Sequence, residues 1–577
     1  MFKLRKYLNN FKFHLILGPI AKVLETASDI FTPFLMAIII DVGIANNDAR
    51  TIYLYGGIIF AISVITFFFT LVCQKCSSIA QAGISRDIRL DAFKQINTWS
   101  HGELDKFSTA TLTNRLIHDV SQISMAVGMT IRNVTRAPLL LIGSFIMALT
   151  INLKLSLVFV VMMPIILFIV FKIMNKNTPL YTDLKLKLDD VTNITRDNLD
   201  SVRVVRAFNK QEYETQRFVK SNKAFTKVNL KIATYAALMH PLIMLVVNFS
   251  IIAILWIGGI QVNIGEMTTG NLLAFVNYLT SIAGSLVIIA RLIIIYARTG
   301  ASIKRVDEIF RTENTIDSPK RPAHISYESA QGKIEFKNVN FSYKTTKDAV
   351  KDLSIVINPG DTIGIIGGTG SGKSSIVGLI PRFYDTTSGE VLIDDINVKR
   401  FDLKVLRQIV GIVPQNPVLF EGTLRENMRW RKPDATDDEI IKALKIAQAY
   451  DFVKELPDYL DHKVLRYGTN FSGGQRQRLT IARALVGDPK ILILDDSSSA
   501  LDFATDANLR KAIAKNLKGA TVVLVSQRAT TLMNADNIIV VDSGNIVGIG
   551  THQQLLESCE VYQEIYYSQN SKKGVLE

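Results

Sequence analysis

The chain has 577 residues, of which 48% are hydrophobic and 20% charged, and its formal net charge is +14. A charged share below the roughly 25% of soluble domains, with so apolar a remainder, excludes disorder, a collagen-like repeat and a small disulfide scaffold. A chain both basic and apolar reads as a membrane protein with cationic cytoplasmic loops, not as a nucleic-acid binder.

The apolar residues come in blocks. Residues 13–40 are strongly apolar but carry Lys22, Glu25 and Asp29, whereas 51–74, 137–153, 155–171, 232–265 and 267–290 hold no Asp, Glu, Lys or Arg. A helix crosses the hydrocarbon core with about 20 such residues, so six spans are expected. The leading block lacks the short apolar core and small-residue cleavage site of a signal peptide. The joints at 41–50, 152–154 and 261–270 are short, with only Arg50 and Lys154 as cations; those at 75–136 and 172–231 are long and basic. The positive-inside rule therefore places both long connections and both termini in the cytoplasm. With few Gly or Pro, these connections read as helices that continue past the bilayer.

Individual residues in the spans carry further expectations. Cys73 and Cys76 form a C-x-x-C with no second pair, which reads as two buried or lipid-facing thiols and not as a metal or redox site. Lys22, Glu25 and Asp29 share one helix face, and Arg291 interrupts the last span. Two readings stand: a cavity lining for polar or cationic cargo, or pairing within the bundle. Asp41, near the outer end of the first span, reads as a solvated loop acid, with an external gate as the alternative. Pro164 and Pro241 stand where a helix would kink.

The polar, proline-bearing stretch 311–332 reads as a linker. Beyond it, short β-branched runs at 334–336, 362–366, 491–494, 521–525 and 537–541 alternate with helical segments. That pattern predicts an α/β domain with a largely parallel sheet. The expected division is a membrane domain at 1–310, a linker at 311–332 and a nucleotide-binding domain at 333–577.

Gly367-Gly368-Thr369-Gly370-Ser371-Gly372-Lys373-Ser374 fits G-x-x-x-x-G-K-[ST], between a predicted strand and a helix opening at Ser375. Glycines let backbone N–H groups close around phosphate oxygens, Lys373 reaches the outer phosphates, and Ser374 is placed for Mg²⁺. The apolar run Ile491-Leu492-Ile493-Leu494 ends in Asp495, the usual second element of such a site, and Asp496 follows where a water-orienting acid belongs. ATP and Mg²⁺ are the implied nucleotide and ion.

Phe471-Ser472-Gly473-Gly474-Gln475-Arg476-Gln477-Arg478 then opens a helix shortly before that strand. With it the chain resembles the ATP-binding cassette family. The resemblance implies further roles. Tyr343 would stack on adenine, Gln415 would link the metal to the membrane domain, and Ser499-Ala500-Leu501-Asp502 would cross a dimer interface. Six spans before one cassette resemble an exporter half-transporter of the type IV layout. The stretches Leu112-Thr113-Asn114-Arg115-Leu116-Ile117-His118-Asp119-Val120 and Val202-Arg203-Val204-Val205-Arg206-Ala207-Phe208 are similar to exporter segments that flank or form the coupling helices.

Two positions depart from the family pattern. Asp496 stands where a glutamate is expected, one methylene shorter, and Gln527 stands where a switch histidine is usual. A neutral amide cannot relay a proton as imidazole does. The intact Ser472, Gly473, Gly474 and Gln475 would serve a site whose phosphate loop belongs to a partner chain. This division resembles bacterial heterodimeric multidrug exporters, and the resemblance implies a prokaryotic plasma membrane, a second half-transporter and a small amphipathic cargo. A homodimer is the lesser alternative for the assembly; an ATP-gated channel or transport regulator is the alternative for function, although no regulatory insertion separates spans from cassette. The six spans exclude a soluble nucleic-acid-bound cassette. Leu465-Arg466-Tyr467-Gly468, before the signature, replaces a common glycine–glutamate pair.

Overall fold

The computed structural model describes residues 2–343 and 348–570. The chain divides into two units: Met1–Asn97 with Ser108–Thr312, and Thr98–Phe107 with Glu313–Glu577.

The first unit is helical. Six helices are long and apolar enough to cross a membrane: Lys12–Ile44, Ala49–Thr98, Thr109–Ile151, Leu153–Asp200, Gln211–Asn263 and Thr269–Arg311. The last five run to 43–53 residues, well past the 20 or so that a bilayer needs. The spans therefore continue as helices through most of both long connections. Pro164 and Pro241 lie inside uninterrupted helices. Wider π-helical turns occur at Ile39–Ile44, Arg115–Asp119 and Thr130–Val134.

Large side chains fill the helix contacts. Phe159 stacks on Phe275 with ring centres 4.8 Å apart, in a cluster with Met162, Leu279 and Ile282. A second cluster gathers Cys73, Ile84, Ile88, Ile123 and Ile131. Cys73 and Cys76 are free thiols and buried. Phe60, Phe67, Phe68 and Trp256 are exposed, as lipid-facing side chains of a membrane bundle should be.

The three charges within the first span find partners. Lys22 Nζ meets Glu25 Oε1 at 2.5 Å with both side chains at most 7% exposed, and Arg136 pairs with Asp29 at 3.1 Å. The pairing reading thus accounts for these three residues, while Arg291 is exposed. Asp41 is not a free loop acid. Its Oδ1 accepts from the Gly270 N–H at 2.7 Å, and a Cβ on Gly270 would come within 2.4 Å of the Ala37 carbonyl oxygen. The close approach of the two helices there requires glycine. Lower down, buried Asp119 accepts from Ser302 Oγ and Arg305 Nε, each at 2.8 Å.

The second unit is built on a six-stranded sheet. Its order is Asn545–Gly550, Asn537–Asp542, Thr362–Ile366, Thr521–Val525, Ile491–Asp495, Val410–Val413. All neighbours are parallel except the first pair. Side chains alternate along the strands, and both faces are buried. Ile363, Ile365, Ile491, Ile493, Val523 and Val525 face one core, whereas Leu492, Leu494, Val522 and Leu524 face another with helices Asp437–Ile446 and Gly473–Leu485.

The run at 334–336 does not join the parallel sheet. It belongs to strand Ile334–Phe341, paired antiparallel with Val350–Ile357 and Ser388–Ile393 in a separate four-stranded sheet. Its buried residues Ile334, Phe336, Val339 and Phe341 pack on the first of the two cores. One covered face is what an antiparallel sheet needs.

Candidate functional site in the nucleotide-binding unit

The predicted phosphate loop leaves strand Thr362–Ile366 and enters helix Lys373–Leu379. Its glycines are sterically required at two points. A Cβ on Gly367 would lie 2.1 Å from the Val541 carbonyl oxygen; at Gly372, where φ is +109°, it would lie 2.2 Å from that of Ala349. Lys373 Nζ donates to the carbonyls of Gly367 at 2.9 Å and Gly368 at 2.6 Å. Burial holds its ammonium below the ordinary pKa, against the opposing pull of Asp496 and Asp495. A cavity of about 730 Å³ opens over the loop, lined by Tyr343, Gly370, Lys373, Ser374, Ser375 and Gly544 among others. Tyr343 stands in its wall, its hydroxyl 3.1 Å from Ser375 Oγ.

Both carboxylates arrive from the end of one strand, separated from the phosphate-loop strand by Thr521–Val525. Asp495 ends strand Ile491–Asp495 and pairs in register with Val525. Ser374 Oγ donates to Asp495 Oδ1 at 3.3 Å. Asp496 sits at a positive φ of 45°, and its N–H donates to the Val525 carbonyl at 2.9 Å. Gln415 Nε2 reaches Asp496 Oδ2 at 3.4 Å, so the glutamine touches the second aspartate. Burial raises the pKa of both carboxyls, with Lys373 pulling each back. Ser374 and Asp495 offer hard oxygen donors beside the loop, which suits Mg²⁺, an ion usually held by one or two carboxylates plus substrate phosphates. Among the described residues no cluster of three His, Cys, Asp or Glu forms a metal site.

Gln527 follows the strand next to Asp495 and is exposed. Its carbonyl accepts from Gln569 Nε2 at 2.7 Å, and Gln569 Oε1 accepts from the Ala529 N–H at 3.0 Å. Sequence reasoning missed Gln569, because nothing local in helix Glu560–Asn570 marks a bond formed some forty residues away.

Ser472 caps helix Gly473–Leu485. Its Oγ accepts from the Gln475 N–H at 3.2 Å, and Gln475 Oε1 accepts from the Ser472 N–H at 2.9 Å. Gly473 and Gly474 form the first turn. Among the described residues no hydrogen bond joins Ser472–Gln475 to the phosphate loop of the same chain. Ser499 Oγ donates to the Asp496 carbonyl at 2.9 Å, Leu501 is buried, and Asp502 caps helix Phe503–Asn516. A Cβ on Gly474 would lie 3.2 Å from the Ala500 carbonyl oxygen, so the loop runs against the start of the signature helix. Arg466 lies over the Tyr467 ring at 5.0 Å.

The segment Thr98–Phe107 belongs to this unit. His101 stacks on Phe383 with ring centres 4.2 Å apart, and Tyr384 Oη donates to Asp105 Oδ2 at 2.7 Å. These contacts lie upstream of the stretch at 112–120 singled out from sequence.

Comparison with known proteins agrees with this geometry. A family model described as ABC transporter transmembrane region matches residues 15–286, and one described as ABC transporter matches residues 350–499. The uncharacterized ABC transporter ATP-binding protein YfiB of Bacillus subtilis (strain 168) is 34% identical, over 99% of this chain and 99% of its own length. The chain belongs to the ABC transporter family. The transporter is also 34% identical to the ATP-dependent lipid A-core flippase of Hahella chejuensis (strain KCTC 2396), over 85% of this chain and 83% of that protein. It shares its fold with a solved bacterial Atm1-family ABC exporter with ATP bound, at a TM-score of 0.78, 23% identity and 99% coverage of both chains. It is thus a multi-pass membrane protein of the exporter class, a half-transporter of six spans and one ATP-binding cassette whose ATPase activity is coupled to transport.

Proposed function

We propose that the transporter is the catalytically weaker half of a heterodimeric exporter that moves amphipathic compounds such as drugs or lipids. The observation that carries this reading is the joint placement of Asp496 and Gln527. They follow adjacent parallel strands, and the Asp496 N–H is bonded to Val525, two residues before Gln527. The positions that would orient and relay protons at one centre are therefore altered together. A displacement of about 1 Å in a catalytic group costs on the order of a hundredfold in rate, and Asp496 is one methylene short.

In this reading the phosphate loop from Gly367 to Ser374 holds the ATP phosphates, Tyr343 stacks on the base, and Ser374 and Asp495 hold Mg²⁺ with Gln415 alongside. The ion would neutralise phosphate charge, while Lys373 turns from the loop carbonyls to the outer phosphate oxygens. Ser472 to Gln475 would face the partner's nucleotide, where hydrolysis proceeds, with Ser499 to Asp502 at the interface. Val204 and Phe208, on and just beyond helix Val202–Ala207, are 57% and 71% exposed; they offer apolar contacts to a second half-transporter. The name of the Hahella relative supports a lipid among the cargo classes. The cations of 75–136 and 172–231 support a cassette on the cytoplasmic side, and the resemblance to bacterial exporters supports a prokaryotic plasma membrane.

Asymmetric mutagenesis of the co-purified pair tests this function. Asp496→Asn here should leave most of the ATPase activity, whereas removing the partner's matching acid, or Ser472→Phe here, should abolish it. A fully active homodimer, or equal damage from the two acid substitutions, defeats the proposal.

A further inference from the structure

Helices Leu153–Asp200 and Gln211–Asn263 run antiparallel, tied at one end by Asn152 Nδ2 donating to Gln261 Oε1 at 2.7 Å. At 1.5 Å per residue, Lys176 lies about 36 Å along its helix from that tie. This is beyond the roughly 30 Å of hydrocarbon but inside the 40–45 Å that includes the headgroups. At that depth the two helices frame a cleft of about 690 Å³ lined by Asn175, Lys176, Leu180, Lys231, Thr234 and Tyr235 among others. Lys176 Nζ stands 5.3 Å from the centre of the Tyr235 ring.

The charged residues that line the cleft have one sign, with Asp183 one turn past Leu180. Between Phe171 and Thr182 the first helix holds Lys172 and Lys176 and no acid, and the second has no Asp or Glu from Thr215 to Ile264. Lys220, Lys223, Lys227 and Lys231 follow one another at three- and four-residue spacing, so a cationic stripe leads down one helix face into the cleft. Lys176 and Lys231 form no ion pair among the described residues, so their charge is not cancelled locally. On the membrane side of the lysines, Phe168, Phe171 and Leu238 are exposed. A free phosphate would use the cations alone, whereas a phospholipid uses the cations and the apolar belt together.

We propose that this cleft seats the phosphate of an anionic phospholipid of the cytoplasmic leaflet, held by Lys176 and Lys231, with its acyl chains along Phe168 and Phe171. Basic pockets between membrane helices on the cytoplasmic side bind such headgroups. The inference rests on the orientation read from the cations.

Native mass spectrometry of the full chain in neutral detergent, with phosphatidylglycerol or phosphatidylcholine added, tests it. Phosphatidylglycerol should be retained in preference, and K176Q/K231Q should retain it ten- to thirtyfold less, as expected for two near-surface cations. K185Q/K210Q, which removes as much charge farther from the cleft, should retain it fully. Equal retention of phosphatidylcholine, equal loss in the control, or displacement by millimolar inorganic phosphate overturns the lipid site. If the double variant does not fold, K231E decides alone: it should lose the adduct, and retention counts against the site. Orientation is read separately, from a cysteine at Thr234 in a chain lacking Cys73, Cys76 and Cys559. Labelling by an impermeant thiol reagent outside intact cells overturns the orientation; loss of lipid selectivity without such labelling overturns the site alone.

Discussion

Gln569 holds the turn that carries Gln527, its side-chain amide donating to the Gln527 carbonyl and accepting from the Ala529 N–H at 2.7 and 3.0 Å. One side chain from helix Glu560–Asn570 thus satisfies two backbone groups on either side of Arg528. An intramolecular hydrogen bond contributes about 0.5–1.5 kcal/mol net. Gln569→Ala should therefore lower stability by about 1–2 kcal/mol. Gln569→Glu, which keeps the acceptor but not the donor, should fall between. Chemical denaturation of the three proteins checks the order, and an alanine variant as stable as the parent contradicts it.

Lys373→Ala should remove nucleotide binding by this chain. The ammonium is already on the loop, bonded to Gly367 and Gly368, and its removal leaves those carbonyls without the cation that phosphate oxygens need. Labelling by a photoreactive ATP analogue in the presence of Mg²⁺ should drop by more than tenfold, a loss of at least about 1.4 kcal/mol. Undiminished labelling means the loop does not hold ATP as assigned.

His101 makes stability pH-dependent. Burial first, and then the Arg407 charge, hold its imidazole below the usual pKa. The unfolded chain takes up this proton near the ordinary value of about 6.5, and the folded chain only at lower pH. Acid therefore favours unfolding, and the stability present above about pH 6.5 is lost as pH falls through the lowered value. His101→Phe keeps a ring for the stack on Phe383 and removes the proton. Its melting temperature should vary less than the parent's between pH 7.5 and 5.5, on the order of a unit either side of the histidine range. Parallel curves would falsify the assignment.

Orientation gives a further expectation. A single cysteine at Ser108 or Asn209, in a background without the native cysteines, should resist an impermeant thiol reagent in intact cells and react in inverted vesicles. Reaction from outside reverses the topology.

The membrane helices were legible because charge-free runs report the solvent each turn meets, and the long connections lacked residues that end helices. The phosphate loop, Asp495 and the signature were legible because their chemistry is local: a strand, a turn and a helix start within a few residues. The contacts of Asp41, His101 and Gln569 were not, since each joins side chains far apart in the chain that only folding brings together. Strand Ile334–Phe341 shows the same limit. Its pattern identified a strand, but whether its neighbours ran parallel depended on segments Val350–Ile357 and Ser388–Ile393.

The buried pair of Lys22 and Glu25 has a bearing on how the first span can move. Both charges sit on one helix, less than one turn apart. When that helix shifts or tilts as a rigid body, these two charges travel together and the pair carries almost no net charge across the membrane field. A single charge moved across the bilayer exchanges about 2.3 kcal/mol per 100 mV with the membrane potential. The pair reduces that exchange to nearly nothing. Of the three charges in this span, only Asp29, whose partner Arg136 sits on another helix, is then left to couple such a motion to membrane voltage.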